Sequence, residues 1–554
     1  MEIKDKLKQG IEEALAKALA DGKLPAGDYP EVLLEIPPQK EFGDFSSNIA
    51  MQSARVAHKS PSVIADVLIE YLQYEWLTKV EKAGAGFLNF FVKSEMVYDS
   101  LRAALEAGEN YGNEPKREDD TIQVEYVSAN PTGPLHVGHG RGAAYGSALV
   151  NLLRAAGYNV SSEYYINDAG NQIDNLALSV NARYLELLDM KYTFPENGYH
   201  GQDIIDTAQQ LINWRGDFFA VIPEPDRLPF FKEFALTEKL NALRVTLKKF
   251  NVTFDNWFSE RSLHRNGEVK KAIQFLQDRG DIYEKDGALW FASTNYGDDK
   301  DRVVIRDNDE PTYLAADIAY HRNKFERGYK RMIDVWGADH HGYVTRVKGS
   351  MQALGYNPDR LEVLLLQMVA LFRDGELVKM SKRTGQAVTL DELMEEVGVD
   401  AARYFFLMRS LDSQLDFDIT LAASKSNDNP VYYIQYAHAR IHSIFNQAAE
   451  AGVKYGDWAN TSFDVLTTEP ELELIKKITS YPEEIRESAA HLAPHRIARY
   501  LYDLASLFHS FYKQGRIMGV DSDLQQARLG LISAVAQVLR HGLGVLGISA
   551  PEKM

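Results

Sequence analysis

Apolar positions recur at helical spacing near the start of the chain, where Ile3, Leu7, Ile11, Ala14 and Ala18 predict one buried helix face over residues 2–20. A strand-like run follows at 32–36, and then a segment, 42–57, in which Asp44 or Ser46 is suited to cap a helix. Residues 82–92, KAGAGFLNFFV, read as a glycine turn feeding an alternating strand. The polar stretch EPKREDD at 114–120 reads as a linker. From Thr121 the pattern is strand, helix, strand: TIQVEYVS, then 138–156, then YNVSSEYYIN. That is half of a doubly wound nucleotide-binding sheet. Residues 173–300 alternate helical segments with aromatic loops and read as an insertion plus connecting helices. The runs at 303–307, 311–325, 332–344 and 361–369 supply the second half of the sheet, and 391–410 reads as a capped helical hairpin. From about residue 427 the chain turns nearly all helical. Its apolar stripes are Ile434, Ala437, Ile441 and Ile444, then Ile497, Leu501, Leu504, Phe508 and Phe511, then Leu531, Val535 and Val538. The expected class is α/β, with an α/β unit at 1–115, a Rossmann-type doubly wound domain with an insertion at 116–426, and an all-α helical bundle at 427–554.

Composition fits that division. A chain of 554 residues exceeds the roughly 250–300 that one core usually serves. Apolar and charged shares of 45% and 25% are ordinary for a globular protein. No apolar run approaches a membrane span, and MEIKDKLKQG lacks a signal-peptide core, so a cytoplasmic protein with no membrane partner is expected. With no cysteine, disulfides and cysteine-held zinc are excluded, and no zinc is expected. The net charge of −18 argues weakly against nucleic acid, although local basic patches decide that question. Acidity also suits a cationic substrate. The basic residues of the helical segment, Lys476, Lys477, Arg496, Arg499, Lys513, Arg516, Arg528 and Arg540, lie scattered among acids and serve equally well as solvated helix faces.

The chemistry concentrates in VSANPTGPLHVGHGR, 127–141. Pro131, Gly133 and Pro134 turn the chain between strand and helix, and His136 and His139 stand three apart at the first helical turn. A helix N-terminus offers free N–H groups to a triphosphate, and Gly138 lets a base or ribose approach the backbone. Taken alone, the two histidines fit a metal pair or a buried pair as well. Downstream, Lys379, Met380, Ser381 and Lys382 form KMSK in a polar, glycine-flanked segment. Two lysines there suit a leaving pyrophosphate. Asp339, His340 and His341 are adjacent and ill placed to share one ion, so lining an adenosine pocket is preferred and no metal site is expected.

HVGH and KMSK together, each after a strand, resemble the class I aminoacyl-tRNA synthetases. SANPTGPLHVGHGR with INDAGNQ at 166–172 resembles the arginyl-tRNA synthetases in particular, and the resemblance runs from the GDF at 43–45 to the C-terminal helices. One departure is Arg383, which follows KMSK where many class I enzymes carry serine. The resemblance implies ATP-dependent formation of arginyl-adenylate and transfer of the arginyl group to the 3'-terminal ribose of arginine tRNA. It assigns His136, Gly138, His139, Met380, Ser381 and Lys382 to ATP, and Lys379 and Lys382 to the pyrophosphate. Glu125, Asn130, Tyr313 and Asp317 go to L-arginine; Asp168 and Gln172 are further candidates for the arginine site or else brace the loops. Mg2+ would neutralise the phosphates. Residues 1–115 would meet the outer corner of the tRNA and 427–554 the anticodon, in an enzyme expected to be a monomer that needs tRNA before it activates the amino acid. The residues themselves support the chemistry in part. A guanidinium calls for carboxylates, Tyr313 and Asp317 lie one helical turn apart, and Glu125 and Asn130 lie near the end of the first strand. A nucleotidyltransferase acting on a small metabolite shares both motifs but not the flanking domains. A glutamyl or glutaminyl enzyme would call for basic pocket residues, and a binding-only paralogue usually loses a motif.

Overall fold

The computed structural model describes residues 3–35, 37, 39–380 and 387–554. The helix Ile3–Ala20 buries the face its spacing predicts and packs on the helix Pro61–Tyr71. A three-stranded antiparallel sheet beside them has Phe87–Val92 between Phe45–Ser47 and Leu77–Ala83. These elements share a core of their own, drawn from Ile3 to Val92. The run at 32–36 was expected as a strand, yet only Glu35 pairs, in an isolated bridge to Ser46, and Ile36 lies outside the described residues. Neither Asp44 nor Ser46 caps a helix. Asp44 accepts the Val92 amide at 2.9 Å and the Lys476 ammonium at 2.6 Å, so it ties this unit to the C-terminal helices. The helix Ser94–Ala107, grouped by sequence with the N-terminal unit, packs on the helices Glu469–Thr479 and Ser522–Val545.

The central sheet has five strands in the order Leu361–Leu366, Arg331–Gly337, Arg117–Glu125, Tyr158–Ile166, Asn256–Ser259, and every pair is parallel. The chain therefore runs outward from Arg117–Glu125 on one side and returns to build on the other, as a doubly wound sheet does. Residues 303–307 were expected in this sheet and are not. Arg302–Ile305 pairs antiparallel with Ala288–Phe291, which pairs with Ile282–Lys285, because the neighbouring hairpin offers a partner close in sequence where the parallel sheet offers one only at longer range. The run 361–369 divides likewise: Leu361–Leu366 joins the main sheet and Val369–Arg373 a separate small one.

The helix Val137–Ala155 lies against the first strand at a close approach, since a Cβ on Gly146 would fall 2.1 Å from the Tyr126 ring. Only glycine permits that spacing. The C-terminal helices Pro430–Glu450, Glu469–Thr479, Tyr481–Ala490, His495–Gln514 and Ser522–Val545 bury all three predicted stripes. Their core is continuous with that of the parallel sheet. Buried Arg403 fastens the junction by donating to Leu546 O, Phe250 O and Ser147 Oγ at 2.7–2.9 Å. Among the described residues, no helix is long and apolar enough to cross a membrane.

Candidate active site

The winding of the sheet reverses between Arg117–Glu125 and Arg331–Gly337, and the crevice beyond their carboxyl ends is where such sheets receive ligands. The first strand ends at Glu125. Val127 and Ser128 then take φ of 68° and 39°, a left-handed turn that is costly for a β-branched residue. Ser128 holds the turn: its hydroxyl donates to Glu125 Oε1 at 2.8 Å and accepts the Tyr165 amide at 3.1 Å. Asn130 is exposed just beyond.

His136 is the N-cap of the helix that follows. Its Nδ1 accepts the Gly138 amide at 3.1 Å, and His139 Nδ1 accepts the His136 amide at 3.3 Å. The rings stack 3.7 Å apart, and the ring of His136 lies where a Cβ on residue 138 would stand, about 3.0 Å away. Burial lowers the pKa of His136; burial and the neighbouring ring lower that of His139 to about 3. Both rings are therefore neutral near pH 7. Since each Nδ1 is an acceptor, each proton sits on Nε2, which leaves two N–H donors at a helix N-terminus.

Residues 388–390, downstream of the KMSK segment, pair with the HVGH turn. Val137 N donates to Val388 O at 3.2 Å and Leu390 N to Leu135 O at 2.8 Å, while Thr389 caps the helix Leu390–Val397 in a capping box with Glu392. Lys379 and Met380 are exposed at the other end. Ser381 and Lys382 lie outside the described residues.

Carboxylates line the other side of the crevice. Asp334, Glu125 and Glu163 stand in register on three adjacent strands. The helix Tyr313–Glu326 covers them. Its Lys324, fully buried, reaches Glu125 at 2.5 Å and Asp334 at 2.7 Å, and Arg327 clasps Glu163 with two bonds of 2.5 and 2.8 Å. Burial opposes the Lys324 charge, but Asp334, Glu125 and Glu163 hold its pKa above the ordinary lysine value; burial raises Glu125 against the pull of Lys324. One turn and two turns before Tyr320 and Lys324 respectively, Asp317 accepts the Tyr343 hydroxyl. Burial raises the Asp317 pKa. Glu260, at the end of the last strand, is buried, and burial with repulsion from Asp317 and Asp168 raises its pKa to about 7. The Tyr165 hydroxyl lies close to it, and His264 is 3.5 Å away. Among the described residues neither Asp317 nor Glu260 has a lysine or arginine at ion-pair distance. Tyr313 is exposed at the mouth, 54% accessible.

Asp168 is buried with both oxygens occupied, by Ser259 Oγ at 2.6 Å and the Arg261 amide at 2.9 Å. Asp339 and His340 form an exposed turn before the helix His341–Ala353. Among the described residues, no three His, Cys, Asp or Glu side chains converge to hold an ion. Sequence reasoning missed Glu260, Lys324, Asp334 and Tyr343. Lys324 had one available signal, since it stands two helical turns after Asp317 and shares its face.

The chain matches three family models: arginyl tRNA synthetase N terminal domain over 5–92, tRNA synthetases class I (R) catalytic domain over 100–409, and DALR anticodon binding domain over 434–554. The arginine–tRNA ligase of Carboxydothermus hydrogenoformans is 54% identical over 97% of this chain and 97% of its own length. That of Desulforamulus reducens is 50% identical over 100% and 99%. A solved chain from Campylobacter jejuni superposes with a TM-score of 0.78 at 36% identity, covering 84% of this chain and 100% of that one. The arginyl-tRNA synthetase of Thermus thermophilus, at 24% identity, TM-score 0.75 and coverage of 99% and 100%, shares the fold. With its catalytic core, its N-terminal unit and its helical bundle all matched in order, the chain belongs to the class I arginyl-tRNA synthetases.

Proposed function

We propose that the protein activates L-arginine with ATP to arginyl-adenylate and passes the arginyl group to the 3'-terminal ribose of arginine tRNA. The observation that carries this reading is the pair Asp317 and Glu260, two neighbouring carboxylates with, among the described residues, no lysine or arginine at ion-pair distance. A guanidinium supplies the missing charge and a fork of donors to match. Tyr313 closes the mouth, Glu125 and Asn130 meet the amino-acid end, and Asp168 adds negative potential from behind. The Nε2–H groups of His136 and His139 bind the ATP phosphates, and Gly138, Met380 and Ser381 lie along the nucleotide. The arginine carboxylate attacks the α-phosphate, and Lys379 and Lys382 take up charge on the departing pyrophosphate. Mg2+ enters with ATP as part of the substrate.

The bundle offers the tRNA a face of rings on the helices Pro430–Glu450 and His495–Gln514. Tyr432 and Tyr436 stack at 6.1 Å, and Arg440 lies 4.7 Å from the Tyr436 ring and 4.8 Å from that of Tyr512. Stacked tyrosines with an arginine suit unpaired bases. The isolated cations suit them less, because Lys476, Lys477, Arg496, Arg528 and Arg540 are spent on ion pairs. The enzyme works as a cytoplasmic monomer with tRNA-binding units at both ends. Its resemblance to the family implies that it waits for tRNA before activating arginine; Tyr145 and Asn151 of the HVGH helix donate to Leu492 O and Val545 O and so link that helix to the bundle.

Charging of arginine tRNA across a pH series tests the reading. Glu260 must be ionised to hold a guanidinium, and its neutral form gains as pH falls through about 7. The facing groups, Tyr165, Asp317, Asp168 and His264, add no lysine or arginine that would hold it ionised. The KM for arginine is therefore expected to rise about tenfold from pH 8 to pH 6, with the KM for ATP steady. An arginine KM that stays flat over this range would contradict the assignment of Glu260.

A further inference from the structure

Asp334 is the register partner of Glu125, and Glu125 of Glu163, so three carboxylates emerge side by side on one face of the sheet. Like charges so placed repel. One helix and the residue that ends it answer all three. Lys324 bridges Glu125 and Asp334, and Arg327 takes Glu163. His321 meets Asp334 with Nε2 at 2.9 Å and the Asp317 carbonyl with Nδ1 at 2.8 Å. Both atoms facing His321 are acceptors. Lys324 has no surface of its own, since its side chain is 0% accessible, with the Tyr320 ring 4.4 Å from its ammonium.

We infer that Lys324 is a positioning residue for arginine: bridging Glu125 and Asp334 beneath the crevice, it fixes the charge and aim of Glu125. The inference rests on the reading of Glu125 as an arginine contact. Lys324 touches no substrate. Without it, Glu125 and Asp334 face each other uncompensated, so one carboxylate takes a proton or swings away, and the amino-acid end of the substrate loses its partner.

A double-mutant cycle separates this role from general support. The steady-state KM for arginine and for ATP is measured in charging of arginine tRNA by the wild type, Glu125→Gln, Lys324→Met and the double variant. Lys324→Met is expected to raise the arginine KM about tenfold or more and to leave the ATP KM within about twofold. The double variant is expected to match Glu125→Gln within about twofold, because the lysine acts through that carboxylate. The double variant removes one charge of each sign, so its comparison with Glu125→Gln decides the matter even where Lys324→Met alone fails to fold. A double variant with an arginine KM tenfold above that of Glu125→Gln would overturn the inference alone. An arginine KM unchanged in Glu125→Gln would instead overturn the reading of Glu125, and the inference with it.

Discussion

Asp317→Asn is expected to lower kcat/KM for arginine by roughly 10²- to 10³-fold, equivalent to about 3–4 kcal/mol of lost charge pairing at a desolvated site. Asparagine keeps the shape and still accepts the Tyr343 hydroxyl, so the change isolates the charge. The loss should fall chiefly on the arginine KM and spare that of ATP, as the groups assigned to the phosphates lie on another element. Stability should move the other way. Burial raises the Asp317 pKa, so the folded state disfavours its ionised form, and that penalty grows as pH rises through the range where the unfolded carboxyl ionises. A neutral residue removes the penalty, and the variant should melt no lower than the wild type at pH 7. Functional sites often carry such a trade. Steady-state kinetics with a thermal melt check both halves, and a variant that loses activity by unfolding would contradict the assignment.

Lys382→Ala is expected to reduce the rate of activation by roughly 10²- to 10³-fold with little change in the KM for arginine. Charge builds on the pyrophosphate only as it departs, so an ammonium placed there acts on the transition state more than on the bound substrates. The bonds between Val388–Leu390 and Leu135–Val137 hold the chain downstream of the KMSK segment beside the HVGH turn. Single-turnover rates of adenylate formation measure the effect. A normal rate in the variant, with a raised KM for ATP, would move Lys382 from the transition state to ground-state binding.

The sequence made the frame of this site readable and hid its charges. HVGH lies at a proline-broken turn between a strand and a helix, and the turn, the cap and the ring pair all stand where that pattern implies. The bundle was equally legible, because three-four spacing survives translation into burial. Strand partners were not. The apolar run at 303–305 announces a strand, yet nothing in it distinguishes a parallel neighbour far away from the hairpin beside it. Asp334, Glu163 and Glu260 were invisible for a related reason. A lone charge in a helix or strand reads as solvent-facing, and Asp334 and Glu163 are buried here because register across strands 117–125, 158–166 and 331–337 gathers them with Glu125 under one helix. Asp44 shows the same limit, since it reads as a cap and serves as a bridge to Lys476.

Arginine-dependent ATP–pyrophosphate exchange, run with and without arginine tRNA, tests the central claim most directly. Exchange that arginine alone among the amino acids supports, and only when the tRNA is present, is the predicted result. No exchange with arginine in the presence of its tRNA would contradict the account at its root, and exchange supported instead by an acidic amino acid would remove Asp317 and Glu260 from the substrate site.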